Sequence, residues 1–293
     1  MNLNTGAFER RELLELEQEV LTVPEGELIG RRLFPVETGI NPGAETYGYT
    51  YMTRMGAAKI IANGDTNLPM VDTDFKRDYR TLHSIGAGAE YTRQELRAAS
   101  MAGRSVETDK IGAARRAISE FEDKLIFRGN DDYGITGATN TPGILTTAFN
   151  KTLKTSTPDE ILDQLRDART KLVTQVGFTG ASLTLVLPAV QYEYLVGTRY
   201  GEYDARTLMQ IINDYGWFGS IVSTDALKGA GDGGTDSMLI FNASKDVSKV
   251  LLALDITMLP QETYAMYTKL GLEERTGGLL IKQPTQFLRI DNI

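Results

Sequence analysis

The chain has 293 residues, with 31 Lys and Arg against 39 Asp and Glu, a net charge of -8 and no cysteine. Disulfides, thiolate catalysis and cysteine-ligated metals are therefore excluded, and the acidic balance argues against a surface built to grip phosphates. Hydrophobic residues at 41% and charged residues at 24% fit an ordinary globular composition. No apolar run approaches the roughly 20 residues that span a bilayer, and residues 1–20 carry no apolar signal core, which points to synthesis in the cytoplasm.

Phe8, Leu13, Leu16, Val20 and Leu21 fall at about helical spacing, so an amphipathic helix is expected over 8–21, ended by Pro24 and Gly26. A helix that short is unstable alone and must pack on its own body or on a neighbour. Tyr47, Tyr49 and Tyr51 then alternate strictly, which is a strand signal within 46–61. A turn cluster over 62–69 leads to a second extended run from Phe75 to Tyr91. The two runs are expected to form one long hairpin with too few apolar residues to fold back on a core. Such a hairpin buries itself on another subunit.

Helix formers dominate next. Thr92 and Glu95 have capping-box spacing ahead of a helix over 92–103. Ala114, Ile118, Phe121 and Leu125 step along a second helix from Val106, with Gly129 as its stop. At 1.5 Å per residue that helix is a rod of roughly 35 Å. A Gly-, Asn- and Thr-rich loop over 130–147 precedes another capping box, Thr157 and Glu160, with Pro158 at the first helical position. Short strands are expected at 181–188, 217–224, 237–243 and 249–259, and short helices over 189–197 and 207–216. This alternation implies a mixed α/β domain over 156–262. The tail is strand-like, with a turn at Thr276–Gly278.

The inventory for chemistry is thin. His83 is the single imidazole and reads as a structural strand residue rather than a catalytic one. Asp72, Asp74 and Asp78, and Asp131 with Asp132, read as acidic turns; neither group has the spacing of a calcium loop. The basic pairs Arg10–Arg11, Arg31–Arg32 and Arg115–Arg116 read as solvated or subunit-facing rather than as a DNA patch. Gly229, Gly231 and Gly234 spell the G-x-G-x-x-G of a dinucleotide turn. Its flanks are wrong: a polar run enters and a strand-like run leaves, so no helix N-terminus is offered to a pyrophosphate. No cofactor, no metal and no catalytic residue is expected, and an enzyme using Gly229–Gly234 is the disfavoured alternative.

The order of parts carries a resemblance. The runs 91–103 and 110–130, then Gly134–Thr146, then 183–195 and 275–290, resemble in sequence and order the major capsid proteins of tailed bacteriophages, a fold shared with encapsulin shells. The resemblance implies an α+β chain: N-terminal arm (1–45), extended E-loop hairpin (46–91), P-domain with a long spine helix (92–155), inserted α/β A-domain (156–262) and a return to P-domain strands (263–293). It implies a subunit that self-assembles into pentamers and hexamers of an icosahedral head enclosing double-stranded DNA. Scaffold, portal and decoration proteins are its further possible partners, no membrane is involved, and assembly takes place in the host bacterial cytoplasm. An encapsulin-like compartment is the alternative. On this resemblance Lys59, Asn63, Gly64, Asp65 and Asn67 fall on the subunit-contacting hairpin. Gly229, Gly231, Asp232, Gly233 and Gly234 fall on a mobile A-domain loop facing the capsomer axis. Some capsids of this fold join a hairpin lysine to a neighbour's asparagine; Lys59 and Asn292 are the candidates, with Lys59 read first as an ordinary surface lysine.

Overall fold

The computed structural model describes residues 26–60, 70–101, 106–175, 177–178, 182–201 and 204–293. The helix expected over 8–21 and the turn cluster over 62–69 lie outside these residues. The described chain runs α1 (Gly30–Leu33), β1 (Val36–Glu37), β2 (Thr46–Met55), β3 (Asp72–Thr81), β4 (His83–Thr92), α2 (Arg93–Met101) and α3 (Val106–Arg128). It continues through β5 (Leu145–Ala148), α4 (Pro158–Val173), β6 (Leu183–Leu187), α5 (Ala189–Gly197), α6 (Leu208–Asp214), β7 (Ser220–Ser223) and β8 (Ser237–Asn242). It closes with β9 (Ser248–Met258), β10 (Glu262–Thr263), β11 (Tyr267–Ile281) and β12 (Phe287–Asp291).

Local chemistry sets the helix ends. Thr92 and Glu95 exchange hydrogen bonds at 2.9 and 3.2 Å before α2, and Thr157 with Glu160 does the same before α4. Thr207 and Gln210 form a third capping box at α6. Gly129 stops α3 at φ 69°, and Gly129 and Gly137 approach so closely that a Cβ on either would strike the other's backbone.

Two sheets carry the fold. In the first, β9 lies between parallel β1 and antiparallel β11, and β11 also pairs over Tyr267–Thr276 with β4. The second has the order β5-β12-β8-β6-β7. Helix α3 packs on the first sheet through Ala114 and Ile118 against Leu272. Leu165, Leu185, Ile212, Ile240 and Leu288 form the core of the second sheet with its helices. Phe34, Phe127, Phe241 and Phe287, all at most 1% exposed, join the two units. Phe34 stacks on Phe241 at 4.8 Å and Phe241 on Phe287 at 5.0 Å.

Five sequence expectations are corrected. The extended run expected over 75–91 is two strands: β3 pairs with β2, and β4 pairs with β11. The break falls at Leu82, which is 5% exposed and inserted among Ile40, Leu251 and Leu280. The strand at 249–259 belongs to the first sheet rather than to the α/β unit, and the closing strand β12 belongs to the second. Thr276–Gly278 is no turn, because β11 runs through it with an irregular register. Gly277 is needed there since a Cβ would lie 2.9 Å from Leu82, and Gly278 has φ 66°. Asp72, Asp74 and Asp78 lie on a strand, not in a turn.

Candidate assembly surfaces

Three basic side chains hold the root of the β2–β3 hairpin. Lys249 on β9 donates to Tyr47 Oη at 2.8 Å and to Glu37 Oε2 at 3.1 Å, with its ammonium 4.8 Å from the Tyr47 ring centre. The hydrogen bond and charge of Lys249 hold the Glu37 carboxyl below its usual range. Arg80 on β3 reaches Thr136 Oγ1 at 2.6 Å and the Leu279 carbonyl at 3.1 Å. Arg275 donates to the Ala44 carbonyl at 2.8 Å. The direction in which the hairpin leaves the body is therefore fixed by partly buried polar contacts.

Beyond the root the hairpin has two unlike faces. Alternation puts Tyr47, Tyr49 and Tyr51 on one face, half-buried, with Tyr49 and Tyr51 edge to face at 5.2 Å. Tyr49 donates to Asp78 at 3.2 Å. Burial and the neighbouring Tyr51 push its hydroxyl above the usual tyrosine range. The other face carries Met52 directly opposite Phe75, 48% and 63% exposed, with Tyr79 at 61% nearer the root. Met55, opposite Asp72 on the tyrosine face, and Met70 and Val71 just before β3 add further bare apolar side chains toward the far end of the hairpin, at 63%, 87% and 65% exposed. A two-stranded ribbon with large apolar side chains in water is marginal alone and reads as a contact surface.

A second apolar feature lies on the body. Between β4 and α3 runs an open groove of ≈ 400 Å³, lined by Ile85, Ala87, Ala117 and Phe121 together with His83 and Tyr133. The His83 ring meets Tyr133 edge to face at 5.5 Å, and Nε2 lies 3.1 Å from Thr81 Oγ1. His83 is thus packed at a strand start.

Sequence reasoning missed the buried charges beneath α1. Arg31, read as solvated or subunit-facing, turns inward. Its Nε bonds Glu122 at 2.6 Å, Nη1 bonds Asp255 at 2.8 Å, and Nη2 lies 3.2 Å from Glu274. Asp123 accepts the Ile29 and Gly30 N–H groups at 3.1 and 2.7 Å. Only the Arg31–Arg32 pair itself could have signalled this site, since its acids are spread over three distant segments. Arg32 stays outside with Glu27, and Arg116 pairs with Glu120.

The glycine loop has defined geometry. Gly229, Gly233 and Gly234 take φ of 64°, 68° and 76°. Gly229 N–H bonds Asp236 at 2.8 Å and Gly231 N–H bonds the Thr235 carbonyl at 2.8 Å. Arg289 holds Asp232 at 2.7 Å, and Arg128 at the end of α3 donates to the carbonyls of Ala226 and Lys228. The loop feeds β8, with no helix after it. Its glycines serve positive φ and, at Gly231, close approach to Asp291. The tip at Asp232–Gly234 is exposed.

Lys59 is exposed in the segment after β2, whereas Asn63, Gly64, Asp65 and Asn67 lie outside the described residues. Asn292 has φ 58° and its amide donates to the Phe149 carbonyl at 2.9 Å, so it is engaged within its own chain. Among the described residues no group of three or more His, Cys, Asp or Glu could hold a metal ion. No helix among them is long and apolar enough to cross a membrane.

The architecture has close counterparts. The capsid of Myoviridae phage XM1 superposes with a TM-score of 0.87 at 12% identity, covering 99% of this chain and 100% of that one. The capsid of an empty GTA particle gives 0.71 at 11% identity, with 99% of each chain covered. A virus-like particle from Pyrococcus furiosus gives 0.61 at 16% identity, covering 89% of this chain and 91% of that one. No curated protein matches the sequence. A family model described as major capsid protein matches residues 56–293, which is most of the chain. With this fold and this sequence match, the chain belongs to the major capsid protein family.

Proposed function

We propose that this chain is the coat subunit of a tailed-phage head and assembles through pentamers and hexamers into an icosahedral shell around double-stranded DNA. The observation that carries the reading is the β2–β3 hairpin: it is braced at its root by Lys249, Arg80 and Arg275 and bare on its Met52–Phe75 face. A ribbon aimed by the body and uncovered by it is completed by a second copy, on which Lys59 and the residues that follow it, Asn63, Gly64, Asp65 and Asn67, would come to lie. The repeated geometry of a shell amplifies each such contact. The exposed tip Asp232–Gly234 is a second contact surface, held in shape by Arg289. An acidic chain suits a wall that encloses DNA without adhering to it. On this reading the protein is structural rather than enzymatic, assembles in the host cytoplasm and is found in the virion. Portal, scaffold and decoration proteins are its further partners.

An encapsulin-like compartment is the weaker reading, because the similarity to a phage capsid spans both whole chains. Electron microscopy of the purified chain tests the proposal: shells, or rings of five and six, support it. A chain that stays monomeric at every concentration and salt, even with its assembly partners, contradicts it.

A further inference from the structure

The charges beneath α1 do not balance as drawn. Glu122 and Glu274 have side chains 4% and 0% exposed, and between them the structure supplies one guanidinium, Arg31. Arg31 is also shared with Asp255, which is 70% exposed. Glu122 Oε1 and Glu274 Oε2 are buried with no hydrogen-bond donor on them, and Glu274 Oε1 has only Arg31 Nη2, 3.2 Å away and poorly aligned for a hydrogen bond. The two carboxyls lie within hydrogen-bonding reach of each other. Two carboxylates in such contact, away from water, do not both ionise. The missing donor is a proton.

The position of this cluster gives it leverage. Glu274 lies on β11 where the ladder to β9 is irregular: Glu273 pairs with Thr257 but Arg275 with Leu254, so Asp255 and Ile256 both face Glu274. Such bulges re-aim side chains, and here Asp255 and Glu274 both meet Arg31. On its other side Glu274 pairs with Ile85 of β4, which is apolar. Helix α3 contributes Glu122 and Asp123, and its Arg115 acts on Asp255. Glu273 and Arg275 alternate onto the opposite face of β11. Three separate parts, the segment around α1, the long helix and the sheet, are thus tied at one buried point.

We propose that Glu274 carries a proton that it donates to Glu122 and, with Arg31, forms a proton-dependent latch fastening the α1 segment and α3 to the first sheet. With the proton in place, Arg31 balances one carboxylate and the neutral carboxyl donates to it. Without the proton a second negative charge is buried there, and repulsion works against α3 lying on β11. Burial is the main cause that pushes the Glu274 carboxyl up from 4.5 to about 8; the charge of Glu122 adds to the rise and Arg31 opposes it. Because the folded value is raised, the stabilisation is complete below the ordinary value of 4.5 and is lost as pH climbs through about 8. The proposal concerns the single chain and does not depend on the shell reading.

The test compares the full-length chain with Glu274→Gln, which keeps the shape and a donor but cannot ionise. Urea unfolding constants are measured from about pH 5.5 to 9.5. The ratio of wild-type to variant constants is expected to rise about tenfold per pH unit below about pH 7.5 and to level off above about pH 9. A ratio independent of pH overturns the proposal. Should the variant not fold, infrared titration of the wild-type chain decides alone. A protonated carboxyl band at about pH 6 that disappears by about pH 10 supports the latch. Its absence at the lower pH, or its persistence at the higher, overturns it.

Discussion

Replacing Met52, Met55 and Phe75 together by Ser separates the folding of the subunit from its association. These side chains are 48%, 63% and 63% exposed, so about half of each remains to be covered by a partner. Full burial of a Met or Phe side chain is worth roughly 1.5–3 kcal/mol, which leaves about 1 kcal/mol per side chain, or about 3 kcal/mol per hairpin. That corresponds to a loss of roughly 100-fold in the affinity of each contact, repeated at every subunit of a closed shell. The unassembled chain should barely notice, because exposed substitutions away from caps and cores stay within about 0.5 kcal/mol each. The assay is paired: light scattering for assembly, and thermal unfolding by circular dichroism for the chain. Assembly abolished with an unchanged melting temperature is the expected result. Wild-type assembly by the triple variant, or a loss of chain stability comparable to a core truncation, would refute the reasoning.

Phe34→Ala removes the ring that stacks on Phe241 and joins the two units. It should cost about 3–5 kcal/mol in urea unfolding, far more than Phe121→Ala at a site 42% exposed. Gly129→Ala places a Cβ 2.7 Å from Gly137 N at a φ of 69°. It should destabilise by more than about 1 kcal/mol in the same assay, whereas Gly112→Ala, with nothing near its Cβ, should not destabilise. Thr157→Ala breaks the capping box of α4 and should cost about 1 kcal/mol. Glu37 is held below its usual range by Lys249, so its contribution is present above the ordinary value of 4.5 and lost as pH falls through the depressed folded value. The stability gap between wild type and Glu37→Gln should therefore narrow as urea titrations move from neutral to acid.

What the sequence displays most clearly is local. Capping boxes at Thr92 and Thr157, the glycine stop after Arg128 and the tyrosine alternation of β2 depend on neighbours within a few residues, and each is found where its pattern lies. Sheet membership is not local. The apolar runs at 249–259 and 287–291 carry no mark of which sheet each joins, and chain order alone assigns both to the wrong one. The split of the 75–91 run is equally hidden, since Leu82 breaks it only because Ile40 and Leu251 wait to receive that side chain. The Arg31 cluster gathers acids from positions 122, 255 and 274, and no sequence window contains them together. The glycine fingerprint at 229–234 was decided by its flanks, and the structure gives those glycines conformational work within a hydrogen-bonded loop.

The hairpin surface left bare by its own chain is expected to be covered by another copy. Negative-stain electron microscopy of the purified full-length chain, with light scattering across concentration and salt, tests it most directly. Shells, or pentameric and hexameric rings, that disappear in the Met52, Met55 and Phe75 variant are the expected result. A stable monomer under every condition, even with its assembly partners present, would contradict it.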